Sequence, residues 1–157
     1  MEVRKKHITE SEAFSKMSAL CAKSEYCIYD IRRKLAKWDM TQEERDNVIA
    51  LLLKNKFIDE QRYAQAFIYE KFHYNGWGVM KIENELRLRG ISQHNINEAK
   101  NEISESETLE YLKQILCAKR PSTHGKTQYE IKAKLYRYAY SKGYTTEQIS
   151  KVIGDLD

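Results

Sequence analysis

The side chains most capable of chemistry are scattered along this chain. His7, His73, His94 and His124 form no His-x-x-x-His pair and no Cys-His cluster, so no zinc site or Cys–His couple is spelled out. Cys21, Cys27 and Cys117 are odd in number and lack paired spacing, which argues against a disulfide framework and a structural zinc. Gly76 and Gly78 make a Gly-x-Gly without the rest of a dinucleotide fingerprint, and helix follows with no strand before it. A phosphate loop of the Gly-x-x-x-x-Gly-Lys type is absent. Glu83 and Glu85 stand two apart on a helix, so they point to different faces and cannot act as a carboxylate pair. Glu43 and Glu44 read as first-turn charges that favour the positive end of a helix. The expectation is a non-enzyme with no catalytic residue, no metal and no cofactor.

What the sequence offers instead are clusters of basic residues. The chain has 157 residues and a formal net charge of +4, with a pI near 8.8. So small an excess matters through its placement. One basic cluster is Arg32, Arg33, Lys34 and Lys37; a second is Lys81, Arg87 and Arg89. The third is Lys119, Arg120, Lys126, Lys132, Lys134, Arg137 and Lys142, with Glu130 as the single acid among them. Such clusters either face an anionic partner or are ordinary solvated helix faces.

The elements that must position these charges are helices. One Pro and six Gly are few for a protein of short strands and tight turns. A helical unit recurs at a distance of about 50 residues. Its first helix carries Ile31 and Leu35, then Ile82 and Leu86, then Ile131 and Leu135. A hydroxyl residue suited to an N-cap follows in each copy: Thr41, Ser92 and Thr145. Apolar spacing then resumes, with Val48 and Leu52 aligned to Ala99 and Ile103, and to Val152 and Leu156. The third copy carries about four extra residues before its cap.

A third helix follows in two copies, one from Asp59 to about Tyr74 and one from about Glu105 to about Lys119. The resulting division is an N-terminal helix over 1–23, a first three-helix module over 24–75, a second over 76–120, and a third, incomplete or not, over 121–157. The first helix has Thr9 or Ser11 as its cap and Ala13, Phe14, Met17, Leu20 and Cys21 as its apolar face. Arg120 to Gln128, with the one Pro, reads as a linker. No stretch approaches the roughly 18 apolar residues of a membrane span, and "MEVRKKHITESEAF" lacks a signal-peptide core. A reducing cytoplasm is expected.

The stretch "FIDEQRYAQAFIYEKFHYNGWG" holds seven aromatic residues. Asp59 caps the helix, with Phe57 and Ile58 placed as a hydrophobic staple. On a wheel, Tyr63, Phe67 and Tyr74 share the packing side with Ala64 and Ile68 flanking. Arg62 and Tyr69 share another side and remain surface candidates, with Arg62 also in reach of Asp59. Asn75 and Gly76 end the helix, and Trp77 reads as an anchor fastening one unit to the next.

The pieces "FIDEQRYAQAF" and "GWGVMKIENELRLRGI" resemble the RecX family. The matching positions are Phe57, Asp59, Arg62, Tyr63, Ala64, Phe67, Gly76, Gly78, Ile82, Leu86, Gly90 and Ile91. Two departures are Glu60, where a second Asp is common, and Val79 and Met80, where a Pro is common. The resemblance implies an all-α fold, a tandem array of three-helix modules that is extended and curved. It implies a monomer that binds the RecA recombinase filament on DNA and modulates, usually inhibits, its ATPase, strand-exchange and repair activities. Direct binding of single- or double-stranded DNA through the basic clusters is a secondary implication, and no membrane is involved. The residues expected on the partner face are Arg62, Tyr69, Lys81, Arg87, Arg89, Lys132, Lys134 and Arg137. A DNA-binding protein with no need of a recombinase and a helical-repeat adaptor with no nucleic-acid link remain open alternatives.

Overall fold

Helix caps and helix faces set the architecture. A computed structural model describes residues 3–156, so Met1, Glu2 and Asp157, at the ends of the expected first and last divisions, lie outside the described residues. The described residues form nine α-helices: α1 (Glu10–Lys23), α2 (Ile28–Leu35), α3 (Gln42–Lys54), α4 (Glu60–His73), α5 (Val79–Leu88), α6 (Gln93–Lys100), α7 (Glu105–Lys119), α8 (Gln128–Ser141) and α9 (Thr146–Ile153). A single 3-10 turn, Arg120–Ser122, follows α7.

The repeated hydroxyl residues do what their chemistry suits. Thr41, Ser92 and Thr145 each stand as N-cap and accept from the backbone N–H three residues on. Thr41 and Thr145 complete capping boxes with Glu44 and Gln148, which accept in return from the cap's own N–H. The α4 cap is Asp59, whose carboxylate accepts from the Arg62 N–H at 3.0 Å. Each such cap contributes about 1 kcal/mol and fixes the direction of chain entry.

The helices bury their apolar faces in three separate cores. Ala13, Met17, Ile31, Leu35, Val48 and Leu52 are among those filling the first, between α1, α2 and α3. Tyr63, Phe67, Phe72, Ile82, Leu86 and Ile96 belong to the second, between α4, α5 and α6. Leu112, Leu116, Leu135, Tyr144, Ile149 and Val152 belong to the third, between α7, α8 and α9. The fold is therefore all-α, a tandem array of three-helix modules.

The grouping differs from the division at 24–75, 76–120 and 121–157. The helix that closed each unit in the sequence reading packs as the opening helix of the next, and α1 opens the first module. Likewise the loop after Arg120 is no linker between modules; it joins α7 to α8 inside the third. Ahead of α1, the extended segment around His7 lies along the α2–α3 loop, where the Asp39 N–H donates to the Lys6 carbonyl at 2.9 Å.

Two further corrections concern α4. Tyr74, placed on the packing side, is the C-cap and 77% exposed, because the chain leaves the helix there. Phe72 takes the core position instead and is fully buried. Trp77 packs half-buried against the second core, within its own module, with its backbone N–H donating to the Lys71 carbonyl at 2.9 Å.

Candidate interaction surface

Several of the expected partner residues are occupied by partners inside the protein. Arg62 projects from the first turn of α4 toward the α1–α2 loop. Its Nε donates to Glu25 Oε1 at 2.6 Å, and one terminal nitrogen donates to the carbonyls of Lys56 and Phe57 at 3.1 and 3.3 Å. The guanidinium thus meets Glu25 rather than the nearby Asp59, whose acceptor is spent on the helix end. Arg62 fastens the first module to the second. Nearby, Glu60 accepts from the Ile28 N–H at 3.2 Å, and burial, joined by the nearby Asp30 charge, outweighs that bond and raises the pKa of the carboxyl.

Tyr69 is exposed, its ring 4.4 Å from His73 and 6.2 Å from Tyr74, so it belongs to an aromatic group at the C-terminal end of α4. Lys81 lies over the Trp77 ring at 4.4 Å. Arg87 is held by Glu83 at 2.7 Å, Gln93 at 3.1 Å and Asn84 at 3.2 Å. Lys100 reaches the second Glu83 oxygen at 3.2 Å. Partial burial works against the Glu83 carboxylate, but hydrogen bonds from Gln93 and Lys100 and the Lys100 and Arg87 charges outweigh it and lower its pKa. Arg89 pairs with Glu85 at 3.3 Å and lies over Phe67 at 5.1 Å, so much of its side chain serves packing.

On α8, Lys134 donates to the His124 carbonyl across the α7–α8 loop. Lys132 and Arg137 are brought together. They line a shallow groove of about 380 Å³ with Tyr129, Ala133, Tyr136 and Ile153. Spacing of three and four residues puts Tyr129, Lys132, Tyr136, Arg137 and Tyr140 along one outer side of the helix. The basic residues were legible in the sequence; their alternation with tyrosines became meaningful once α8 had a defined inner face.

Sequence reasoning missed two grooves at the module joints. The larger, about 560 Å³, lies between α2 and α4 and is lined by Arg33, Lys34, Lys37 and Lys71 with Tyr63 and Phe67, alongside acids including Asp30. The basic run on α2 was its signal, but its partner Lys71 comes from a different module. The second groove, about 350 Å³, lies where the α4–α5 loop meets α7 and α8. There Gly78 N–H donates to the Lys142 carbonyl at 2.7 Å, and Met80 N–H to the Gly143 carbonyl at 3.2 Å. Tyr111 hydroxyl donates to the His73 carbonyl at 2.9 Å and stacks on Phe72 at 4.8 Å. Tyr144 hydroxyl donates to the Gly76 carbonyl at 3.2 Å.

Among the described residues, no group of three or more acidic, His or Cys side chains could hold a metal ion. None of the described helices is long and apolar enough to cross a membrane.

A row of three-helix modules with basic and aromatic side chains on its grooves defines a helical-repeat protein. Family models narrow this class. That for the second three-helix domain of RecX matches residues 59–99, and that for the third matches 105–153, together more than half of the chain. The chain belongs to the RecX family. Both matched segments also follow the grouping of the helices, α4 to α6 and α7 to α9.

Curated relatives extend the similarity over nearly the whole chain. "Regulatory protein RecX" of Haemophilus influenzae (strain 86-028NP) is 27% identical over 145 residues, covering 92% of this chain and 94% of the relative. The protein of the same name from Actinobacillus pleuropneumoniae serotype 5b (strain L20) is 29% identical over 152 residues, 96% of this chain and 95% of the relative. Among solved structures, a crystal structure of regulatory protein RecX superposes with a TM-score of 0.84 at 19% identity, covering 91% of this chain and 72% of that one. RecX from Lactobacillus salivarius gives 0.80 at 17% identity, covering 94% and 96%. At such identities these two structures establish the fold alone.

Proposed function

We propose that this protein is a non-enzymatic cytoplasmic regulator that binds the RecA recombinase polymerised on DNA and restrains its ATPase and strand-exchange activities. The observation that carries this reading is the tandem three-helix array of the RecX family, with side chains for partner contact spread over successive modules. Such an array presents a long surface that can span neighbouring protomers of a polymer. Lys81 and Arg87 on α5, Lys132, Lys134 and Arg137 on α8, and Tyr69 on α4 supply the contacts, with the cations near the phosphates that the filament carries. In this scheme Arg62 and Arg89 act indirectly, by holding module joint and core side chains in place.

The test measures binding to free recombinase, bare DNA and assembled filaments, together with filament ATPase. Preference for filaments and a fall in ATPase are expected. Charge reversal at Arg87 with Lys132 should weaken both without unfolding the chain, since both side chains lie on the surface of their helices. Equal affinity for bare DNA and for filaments, with no change in ATPase, would refute the regulator reading.

A further inference from the structure

An asparagine side chain can react with the backbone that follows it, and one position in this chain is set up for that reaction. Of the seven asparagines, Asn75 alone precedes a glycine. It is exposed and lies in the α4–α5 loop, past the end of α4. Among the described residues, nothing is hydrogen-bonded to its side-chain amide or to the Gly76 N–H. Gly76 has φ +67° and no Cβ, so no side chain of its own screens its nitrogen.

The peptide unit joining the two residues is also polarised. The Lys142 ammonium, from the other side of the module joint, donates to the Asn75 carbonyl at 2.9 Å. When the Gly76 N–H loses its proton, resonance spreads the negative charge onto that same carbonyl oxygen. A cation bonded to the oxygen favours the charged form and makes the N–H more acidic. Asn55 supplies the contrast, since it too is exposed and stands at the end of a helix. Lys56 follows it, with an N–H that already donates to the Leu53 carbonyl at 3.1 Å. The Asn55 side-chain amide is likewise engaged, donating to the Leu51 carbonyl at 2.8 Å.

We propose that Asn75–Gly76 is a self-modification site, at which the side chain of Asn75 is deamidated with Lys142 promoting the step. The deprotonated Gly76 nitrogen attacks Asn75 Cγ, and the new N–Cγ bond replaces the bond from Cγ to the side-chain nitrogen. That nitrogen leaves as ammonia, and the proton given up by Gly76 is returned to it. Water then opens the five-membered imide. Opening at Cγ yields aspartate. Opening at the main-chain carbonyl yields isoaspartate, with one more carbon in the backbone. Nothing is oxidised or reduced.

Either product places a carboxylate in the groove where the α4–α5 loop meets α7 and α8. Lys119 and Lys142 line that groove, and no Asp or Glu does. The isoaspartyl backbone also displaces two pins of the joint. The Gly76 carbonyl accepts from the Tyr144 hydroxyl at 3.2 Å, and the Gly78 N–H donates to the Lys142 carbonyl at 2.7 Å. The modification therefore acts on the contact between the second and third modules. It needs no recombinase, and its failure would leave the filament reading untouched.

The experiment holds the full folded chain at neutral and mildly alkaline pH and maps its peptides by mass spectrometry over time. Asn75 should convert at a rate that rises with pH, while Asn55 stays intact. Enzymatic methylation of the isoaspartyl carboxylate identifies that product. Lys142→Met should slow the conversion about tenfold, since an ion contact of this kind moves acidity by about a decade. Lys142→Arg should restore the rate. In urea, where the contact is lost, the parent and Lys142→Met should react alike. Circular dichroism of both variants should match the parent, since Lys142 is only half-buried. Survival of Asn75 in the folded chain, with conversion in urea, would overturn the proposal. So would equal rates in the folded parent and folded Lys142→Met, or conversion of Asn55 as fast as of Asn75. In the isoaspartyl protein, separated by ion exchange, the Gly78 amide should exchange faster with solvent; unchanged protection would overturn the link to the joint.

Discussion

Gly78→Ala tests whether the second and third modules are locked by backbone contact. Gly78 is the N-cap of α5 with φ −75° and ψ 159°, which alanine adopts without strain. An added Cβ would stand 2.4 Å from both the carbonyl carbon and oxygen of Gly143, and 2.5 Å from the Tyr144 nitrogen. Backbone atoms cannot swing aside as a side chain can, so the α4–α5 and α8–α9 loops must separate. That separation forfeits the Gly78–Lys142 and Met80–Gly143 bonds, each contributing about 1 kcal/mol net. Overpacking adds about 1–3 kcal/mol, so the expected loss is about 3–5 kcal/mol, only slightly offset by the stiffer unfolded chain.

Gly90→Ala is the control. Gly90 has φ +74° and open space within 4 Å, so alanine there meets only the left-handed penalty of about 1–2 kcal/mol. In urea unfolding followed by circular dichroism, with a slope near 2 kcal/mol/M, Gly78→Ala should lower the midpoint by about 1.5–2.5 M and Gly90→Ala by less than about 1 M. Hydrogen exchange should show the Gly78 and Met80 amides losing protection in Gly78→Ala alone. A Gly78→Ala protein as stable as Gly90→Ala, with both amides still protected, would refute the locked joint.

Other predictions address the first joint and the buried ionisable groups. A double-mutant cycle of Arg62→Met and Glu25→Gln should return a coupling of up to about 1 kcal/mol, because the 2.6 Å pair is partly solvated; additivity would show that the contact holds nothing. Glu60 has a carboxyl pKa raised by burial, so its folded form favours the proton and stability is lost as pH rises from the unfolded value of about 4.5 through the folded one. Glu60→Gln should therefore be more stable than the parent at pH 7, and that advantage should fade as the pH falls to about 4; a pH-independent difference would refute the assignment. The buried Cys27 thiol has its pKa pushed up to about 11, so at pH 8 a thiol reagent should modify exposed Cys117 quickly and Cys27 only on unfolding. Mass spectrometry reads the order, and rapid labelling of folded Cys27 would contradict its placement in the second core.

Much of the local structure was legible in the sequence, because it depends on neighbours a few residues away. The caps at Thr41, Ser92 and Thr145 need only a hydroxyl beside a free N–H. The paired Ile and Leu positions mark inner faces through helical period alone. Tyr74 failed for a reason of the same local kind: a wheel assumes the helix continues, whereas the chain turns there into the Gly76 loop.

The grouping of helices was a different problem. A repeating series of helices has no phase, so a unit can be started at α1, α2 or α3 with equal regularity. Only burial between helices selects α1 with α2 and α3, and the same choice makes α4 and α7 openers rather than closers. The candidate site followed the same divide. Basic clusters were visible as runs, but whether a cation faces solvent, a carboxylate or a ring depends on chain far away: Arg62 meets Glu25, and Lys119 and Lys142 each lie against the Tyr138 ring. The sequence by itself determined the helices, their ends and their inner faces. Tertiary structure alone decided which helices share a core and which charges converge, because both depend on contacts between residues that the chain keeps far apart.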